Sequence, residues 1–480
     1  MNDKRGDKSV LIERNRSEYK ELYSKVNWIK EEEVDGYEIK RSTLLSELEN
    51  YVQWGYHDSK ADVSNLSPGC RLCGEGEWSC LFINNVCNAK CFYCPSKQDD
   101  VSVPTTSAVT FENPEDYVAY LRRFNYKGAS ISGGEPFLSF DKTLRFIKTI
   151  REDLGNEIYI WMYTNGILAE KEKFKELAKA GLDEVRFDIS AAGYSLEPVK
   201  KAAGIIRNIT VEIPAIPEDI EKVKRLLPQM KNAGVNFLNL HQIRLTDYNF
   251  SKLNKRGYTL LHGPKATVLE SELTALKVML HSYKEKINLP VNYCSYIYRY
   301  RYQSRAARVK QTAFFTHSYE AITETGLVRS LIITGISEEL DSVREMIKRI
   351  CFNNEFFKDK GDSLIIHESL LKPALKFDVN VSVNYHATKL RNSLTYKFPF
   401  KEIYLNNRKP VFVERGRITP DIALSKKEAV LFESIFCRSI HPVRKEAVEI
   451  EINSNGIENS TRLLEVFDLE KLDHGLYPYF

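Results

Sequence analysis

Three cysteines stand close together in NNVCNAKCFYCPSK: Cys87, Cys91 and Cys94, in C-x3-C-x2-C spacing. Thiolates are soft ligands that iron–sulfur clusters favour. Three of them on one short loop can hold three irons of a [4Fe–4S] cluster, and the fourth iron is then left without a protein ligand. A structural zinc loop is the other reading of this spacing. A second set lies just upstream, as Cys70-x2-Cys73-x6-Cys80. Three cysteines do not close a tetrahedral site, so a fourth ligand is expected, and Cys294 in VNYCS is the candidate. That site would take either an auxiliary iron–sulfur cluster or zinc. Six of the nine cysteines fall between Cys70 and Cys94, which in a reducing compartment points to metal rather than disulfides. Cys351 and Cys437, in KRICFNN and ESIFCRSI, read as small core residues.

The elements that must position these cysteines alternate in type. Short β-rich runs occur at 80–85, 128–134, 158–166, 184–190, 209–216 and 237–245. Helical stretches separate them, among them EDYVAYLRRF, FDKTLRFIKTIRED and DIEKVKRLLPQMKNAG. Strands alternating with helices of this length predict an α/β fold with a parallel sheet and right-handed crossovers. Six such units suit a partial (βα)6 barrel, a doubly wound sheet being the alternative. Either way the chemistry belongs at the C-terminal ends of the strands. Residues 1–66 read as a helical extension from their 3.6-residue period, and NLSPGC marks a turn into the next unit. The barrel with its second cysteine site is expected over 67–296, and a separate α+β unit over 297–480, ending in the aromatic tail GLYPYF.

Further motifs agree in order with the cysteine loop. Ser132-Gly133-Gly134-Glu135-Pro136 follows the second expected strand, Tyr163-Thr164-Asn165-Gly166 closes the third, and Asp188-Ile189-Ser190 closes the fourth. The C-x3-C-x2-C loop with Tyr93 before its last cysteine resembles the signature of the radical S-adenosylmethionine (SAM) superfamily. The segment Gly133-Gly134-Glu135-Pro136 resembles that superfamily's GGEP motif. Over residues 60–330, CFYCPSK, AGLDEVRF, VEIPAIP and FLNLHQ resemble an uncharacterised, mainly archaeal family related to the pyruvate formate-lyase activating enzyme. The resemblance implies that SAM chelates the open iron of the cluster on Cys87, Cys91 and Cys94. It also implies that reductive cleavage there yields a 5′-deoxyadenosyl radical, which abstracts hydrogen from a substrate. It implies further that the GGEP backbone and Glu135 meet the SAM amino group, and that Thr164, Asn165 and Ser190 line its methionine or ribose. Thr-Asn-Gly is also a plain turn out of a strand.

The substrate is open: a small molecule, a peptide or a protein. An electron donor such as ferredoxin or flavodoxin is implied. An activator that installs a glycyl radical on a partner protein is one alternative, and a metal-binding adaptor without SAM turnover is another. Net charge is +4 with 28% charged and 43% hydrophobic residues, so nothing global demands nucleic acid or an anionic membrane. Locally, YRYRYQSRAARVK (298–310) interleaves cations with tyrosines and could track phosphates; a helix whose tyrosines pack on the barrel is the favoured reading. His57 and His241 receive no role, and Glu212 could point inward or outward. No stretch approaches the ~20 apolar residues of a membrane span, and the start of the chain lacks the apolar core of a signal peptide, so a cytoplasmic location is expected.

Overall fold

The computed structural model describes residues 8–98, 102–351, 354–437, 444–457 and 461–479. The first seven residues of the expected N-terminal extension and Phe480 of the aromatic tail lie outside them. The chain forms two compact units. The first comprises residues 1–106, 110–303 and 475–480, and the second is essentially 304–474.

Seven parallel strands build the first unit: β1 (Trp78–Phe82), β2 (Gly128–Ser132), β3 (Tyr159–Thr164), β4 (Glu184–Phe187), β5 (Asn208–Pro214), β6 (Phe237–His241) and β7 (Val291–Cys294). They lie side by side in chain order from β1 to β7. β1 turns its other edge to Thr105–Thr106, antiparallel, and β7 ends the sheet. The sheet therefore stays open, as a partial barrel does. All six expected strands are present. The seventh is the four-residue VNYC segment, which places Cys294 at a strand end.

Alternation along each strand separates two kinds of side chain. One set is apolar and buried: Leu81, Ile131, Met162, Val185, Phe187, Val211 and Leu240. Helices cover this side. Phe174 of the helix Lys171–Lys179 meets Phe187 at 5.9 Å, and Tyr117 of the helix Pro114–Arg123 donates to Ser79 Oγ at 3.1 Å. The opposite set is Cys80, Ser130, Tyr163, Arg186, Glu212, Asn239 and Cys294. These side chains would be costly to bury unless paired. Arg186 provides the pairing: it donates to Glu184 at 2.8 Å, Glu212 at 2.9 Å and Ser67 Oγ at 3.0 Å, and lies over the Trp161 ring at 5.2 Å.

The segment SPGC is a helix start rather than a plain turn. Ser67 Oγ accepts from Cys70 N at 3.2 Å, Pro68 occupies the first turn, and the helix Pro68–Glu75 stops at Gly76 with φ +74°. Proline tolerates the first turn because its missing N–H has no helical partner there. A Cβ on Gly69 would stand 2.4 Å from Arg186 Nη2, so this helix lies directly on the buried ion pair.

The N-terminal segment is packed into this unit. Tyr19 and Val26 share a core with Ile243, Leu245 and Tyr258. The tail returns here as well: Tyr479 OH donates to Glu272 at 2.8 Å, and Arg41 donates to Tyr477 O at 2.8 Å.

The second unit is α+β. Its strands β8 (Val328–Thr334), β9 (Ser363–Ile366), β10 (Asn380–Arg391), β11 (Phe400–Tyr404) and β12 (Pro410–Arg417) are antiparallel, in the spatial order β9-β8-β10-β12-β11. The expected Glu-Thr-Gly turn joins Ala321–Ile322 to β8. The helix Ser337–Ile350 places Leu340, Val343 and Ile347 in the core with Leu331, Ile333, Val383 and Tyr385, and Cys351 and Cys437 pack at its margin. No helix among the described residues is long and apolar enough to cross a membrane.

Among the described residues, Arg186 is the cation that ion-pairs with Glu184 and Glu212. Arg186→Met should therefore cost about 3–5 kcal/mol, since both carboxylates lose their partner. Urea denaturation checks this; a loss under about 1 kcal/mol would mean that the pair is dispensable.

Candidate active site

The cysteine loop begins where β1 ends, and the glycines after β2 hold it. Ile83 N donates to Ser132 O at 2.8 Å, Gly134 N to Asn84 O at 2.9 Å and Glu135 N to Val86 O at 2.7 Å. The approach is too close for a side chain. A Cβ on Gly133, where φ is +129°, would lie 2.2 Å from Asn84 O, and one on Gly134 would lie 1.9 Å from Val86 O. Glycine is the residue that permits this.

Glu135 is 1% exposed and turns its carboxylate to the chain itself. It accepts from Phe137 N at 3.0 Å, Thr164 Oγ1 at 2.8 Å and Asn165 N at 2.7 Å. Burial pushes its pKa up, against the pull of those donors. Pro136 is buried beside it. Asn165, so placed, donates from Nδ2 to Asn88 Oδ1 at 2.7 Å and reaches Cys87 Sγ at 3.6 Å. The ends of β2 and β3 thus hold the first cysteine from two sides.

The end of β4 holds the other half of the loop. Tyr93 OH lies 2.8 Å from Asp188 Oδ2 and 2.7 Å from Ser190 Oγ, and Ser190 N donates to Asp188 Oδ1 at 3.1 Å. Asn249 Nδ2 donates to Tyr93 O at 3.2 Å and Lys252 Nζ to Cys91 O at 3.4 Å. Burial raises the thiols of Cys87, Cys91 and Cys94, Cys91 to about 11. Without metal they are protonated near neutral pH. Among the described residues no three His, Cys, Asp or Glu side chains stand close enough together to enclose a metal ion, so binding requires the thiols to turn toward one another. The donor set and the glycine-held loop fit a three-cysteine iron–sulfur cluster.

The second cysteine set faces the barrel interior. Cys70, Cys73, Cys80 and Cys294 line one cavity of about 190 Å3. All seven strands contribute to its wall: Trp78 and Cys80 from β1, then Ser132, Tyr163, Arg186, Glu212, Asn239 and Cys294. Cys70 and Cys73 come from the helix on Ser67, one turn apart, and Gln303 Nε2 donates to Cys73 Sγ at 2.6 Å. Burial raises the thiols of Cys73, Cys80 (to about 11) and Cys294. Three cations, Lys60, Arg186 and Arg299, share the lining. Asn239 Oδ1, Tyr298 OH and Arg299 Nε are buried with no hydrogen-bond partner, and buried polar atoms rarely stay so. A thiolate-bound metal, with cations to offset its charge, fits this donor set.

The two histidines take no part in either site. His57 does not line the cavity. Its ring meets Tyr302 edge-on at 6.1 Å. His241, half-buried at the end of β6, is depressed to about 4 by desolvation and by Arg299. In the 298–310 stretch, Tyr298 and Tyr302 are buried and stack at 5.6 Å, while Arg301 is buried and donates to Gly475 O at 2.6 Å. Glu212 points inward, which the sequence leaves undecided. Asp188, held by Tyr93 OH and Ser190 N, joins the site from the structure; the Asp-Ile-Ser strand end is its one signal in the sequence.

Residues 81–212 match the profile of the radical SAM superfamily. The chain carries a radical SAM domain. Members of this superfamily are enzymes built around a [4Fe–4S] cluster and SAM, and the matched stretch spans the cysteine loop and the Gly-Gly-Glu-Pro segment. A Methanocaldococcus jannaschii protein, provisionally named a glycyl-radical enzyme activating enzyme, is 28% identical over 342 residues, covering 66% of this chain and 87% of that one. A GTP 3′,8-cyclase of Rhodopirellula baltica is 28% identical over 150 residues, 30% of this chain and 40% of the cyclase. The solved structure of Streptococcus suis SuiB aligns over 45% of this chain and 48% of that one, at 15% identity and TM-score 0.32; the fold assignment rests on strand order instead.

Gly134→Ala forces a methyl group onto the Val86 carbonyl, so it should displace the cysteine loop of this radical SAM domain. Anaerobic reconstitution followed by iron analysis should show at least half of one cluster's iron lost, with the circular dichroism spectrum retained. A full iron complement would contradict the clamp.

Proposed function

We propose that the enzyme holds a [4Fe–4S] cluster on Cys87, Cys91 and Cys94 and uses it to cleave SAM reductively, initiating hydrogen abstraction from a substrate. The reading is supported above all by the convergence of three strand ends on the cysteine loop: Gly133–Gly134 on its start, Asn165 on Cys87, and Asp188–Ser190 on Tyr93. When bound, the cluster leaves one iron open to SAM and supplies the electron that breaks a carbon–sulfur bond.

The chain's own residues have separable tasks. Gly133, Gly134 and Pro136 bring backbone to the loop. Glu135 fixes Thr164 and Asn165, and these with Ser190 and Tyr93 form the wall against which SAM would lie. The thiols supply soft, anionic ligands once deprotonated. An external reductant, a ferredoxin or flavodoxin, provides electrons.

Cys70, Cys73, Cys80 and Cys294 are proposed as ligands of a second metal, either an iron–sulfur cluster or zinc. Lys60, Arg186 and Arg299 would offset the negative charge of its thiolates. Activation of a glycyl-radical protein is the second reading, favoured by the name of the M. jannaschii relative.

Anaerobically reconstituted, dithionite-reduced protein should convert SAM to 5′-deoxyadenosine, detected by mass spectrometry, and Cys94→Ala should abolish it. Normal turnover in that variant would remove the cluster assignment. Cys73→Ala should lower total metal by one site while leaving the cluster on Cys87, Cys91 and Cys94 in place. An unchanged metal count would exclude the second site.

A further inference from the structure

The second unit contains a cavity that the proposed SAM chemistry does not use. Its volume is about 550 Å3, within the ~300–1,000 Å3 typical of small-molecule sites. Its floor is the face of the sheet opposite the apolar core. Leu331, Ile333, Val383 and Tyr385 point into that core, so the alternate residues Ser330, Ile332, Asn384 and His386 face the cavity. Arg417 stands in register with His386, and Arg415 two residues away shares its face.

A buried polar network organises this floor. Arg415 forks onto Glu320 at 2.8 and 2.6 Å, and Ser330 Oγ donates to Glu320 at 2.8 Å. Glu320 is held below the usual carboxylate range: burial raises it, and the Arg415 fork outweighs burial. Arg415 Nη2 also lies 3.1 Å from His386 Nδ1. Arginine can only donate, so Nδ1 is the acceptor and the proton of the neutral ring sits on Nε2. Burial and Arg415 together depress His386 to about 4, which keeps the ring neutral near pH 7.

The charge left over is positive. Glu320 is the one carboxylate among the residues lining the cavity, and Arg415 occupies it. Lys358 and Lys360 line the rim, exposed and without an ion-pair partner among the described residues. Arg417 pairs with the exposed Asp421 at 2.8 Å, and its Nε donates to Thr419 O at 2.8 Å. The side walls are aromatic. His317 and Tyr319 stack at 5.0 Å with 12° between their planes, and Phe398 is 44% exposed. Cations beside flat, partly exposed rings suit an anionic group joined to a planar one.

We propose that this cavity binds a phosphate-bearing, ring-containing small molecule of nucleotide size. Lys358, Lys360 and Arg417 hold its anionic group, and the ring lies against His317, Tyr319 and Phe398. The Arg415–Glu320 pair and His386 form a fixed floor, with the His386 Nε2–H as a directed donor.

Calorimetric titration of the full chain tests this, with ADP and inorganic pyrophosphate as probes. Saturating S-adenosylhomocysteine is present to fill any adenosyl site in the first unit. One ADP per chain should bind with Kd below about 0.1 mM, and pyrophosphate about tenfold more weakly. Lys358→Glu with Lys360→Glu, both at exposed positions, should weaken ADP at least tenfold. Phe398→Ala should weaken ADP and leave pyrophosphate unchanged. Three results would overturn the proposal: no saturable binding of ADP at millimolar concentration, binding indifferent to the double lysine change, or preference for a single-stranded oligonucleotide through the same lysines. The last would assign the face to nucleic acid.

Discussion

The first unit depends on a backbone-to-backbone approach that leaves no room for a side chain. Val86 O stands 1.9 Å from where a Gly134 Cβ would be, and Asn84 O 2.2 Å from that of Gly133. Through this contact the strand end after β2 carries the loop that holds Cys87, Cys91 and Cys94. The same turn delivers Glu135, whose buried carboxylate gathers Thr164 and Asn165 from β3. Three strand ends are thereby locked to one another before any cofactor is present. Such preorganisation is what a site needs when a reactive fragment must be kept on a defined path.

Beneath that rim the barrel interior is polar. Arg186 holds Glu184 and Glu212, and around it lie four thiols and two further cations. A core of this composition is less favourable than an apolar one of equal volume unless the polar groups serve binding. Buried atoms without partners, Asn239 Oδ1 and Tyr298 OH among them, support the same conclusion. The sheet supplies the geometry: the first and last of its parallel strands, β1 and β7, each contribute a cysteine, and the helix after Ser67 brings two more.

Much of this was legible in the sequence, for identifiable reasons. The six strand runs stood out because each is a short apolar stretch bounded by amphipathic helices. VNYC did not, being four residues long between a helix and the Tyr/Arg-rich stretch. Ser67-Pro68-Gly69 reads as a turn by composition, yet Ser as cap and Pro in the first turn also start a helix, and only packing against Arg186 decides between them. The cysteine loop and the Gly-Gly-Glu-Pro segment are contiguous motifs and could be read directly. The Arg186–Glu212 pair, Asp188 beneath Tyr93, and Tyr479 against Glu272 could not. They join residues 26 to 207 positions apart, and periodicity says which way a residue points but not whom it meets. The acceptor role of Glu135 likewise appears only when the ends of β2 and β3 are set side by side.

Electron paramagnetic resonance of the reduced, reconstituted Cys73→Ala protein, with and without SAM, probes the central claim most directly. That variant leaves the cluster on Cys87, Cys91 and Cys94 as the one intended signal. The account predicts a [4Fe–4S]+ spectrum whose g-values shift when SAM is added, and loss of that spectrum when Cys94 is also replaced by Ala. A reduced-cluster spectrum unchanged by saturating SAM, or one that survives the Cys94 replacement, would contradict it.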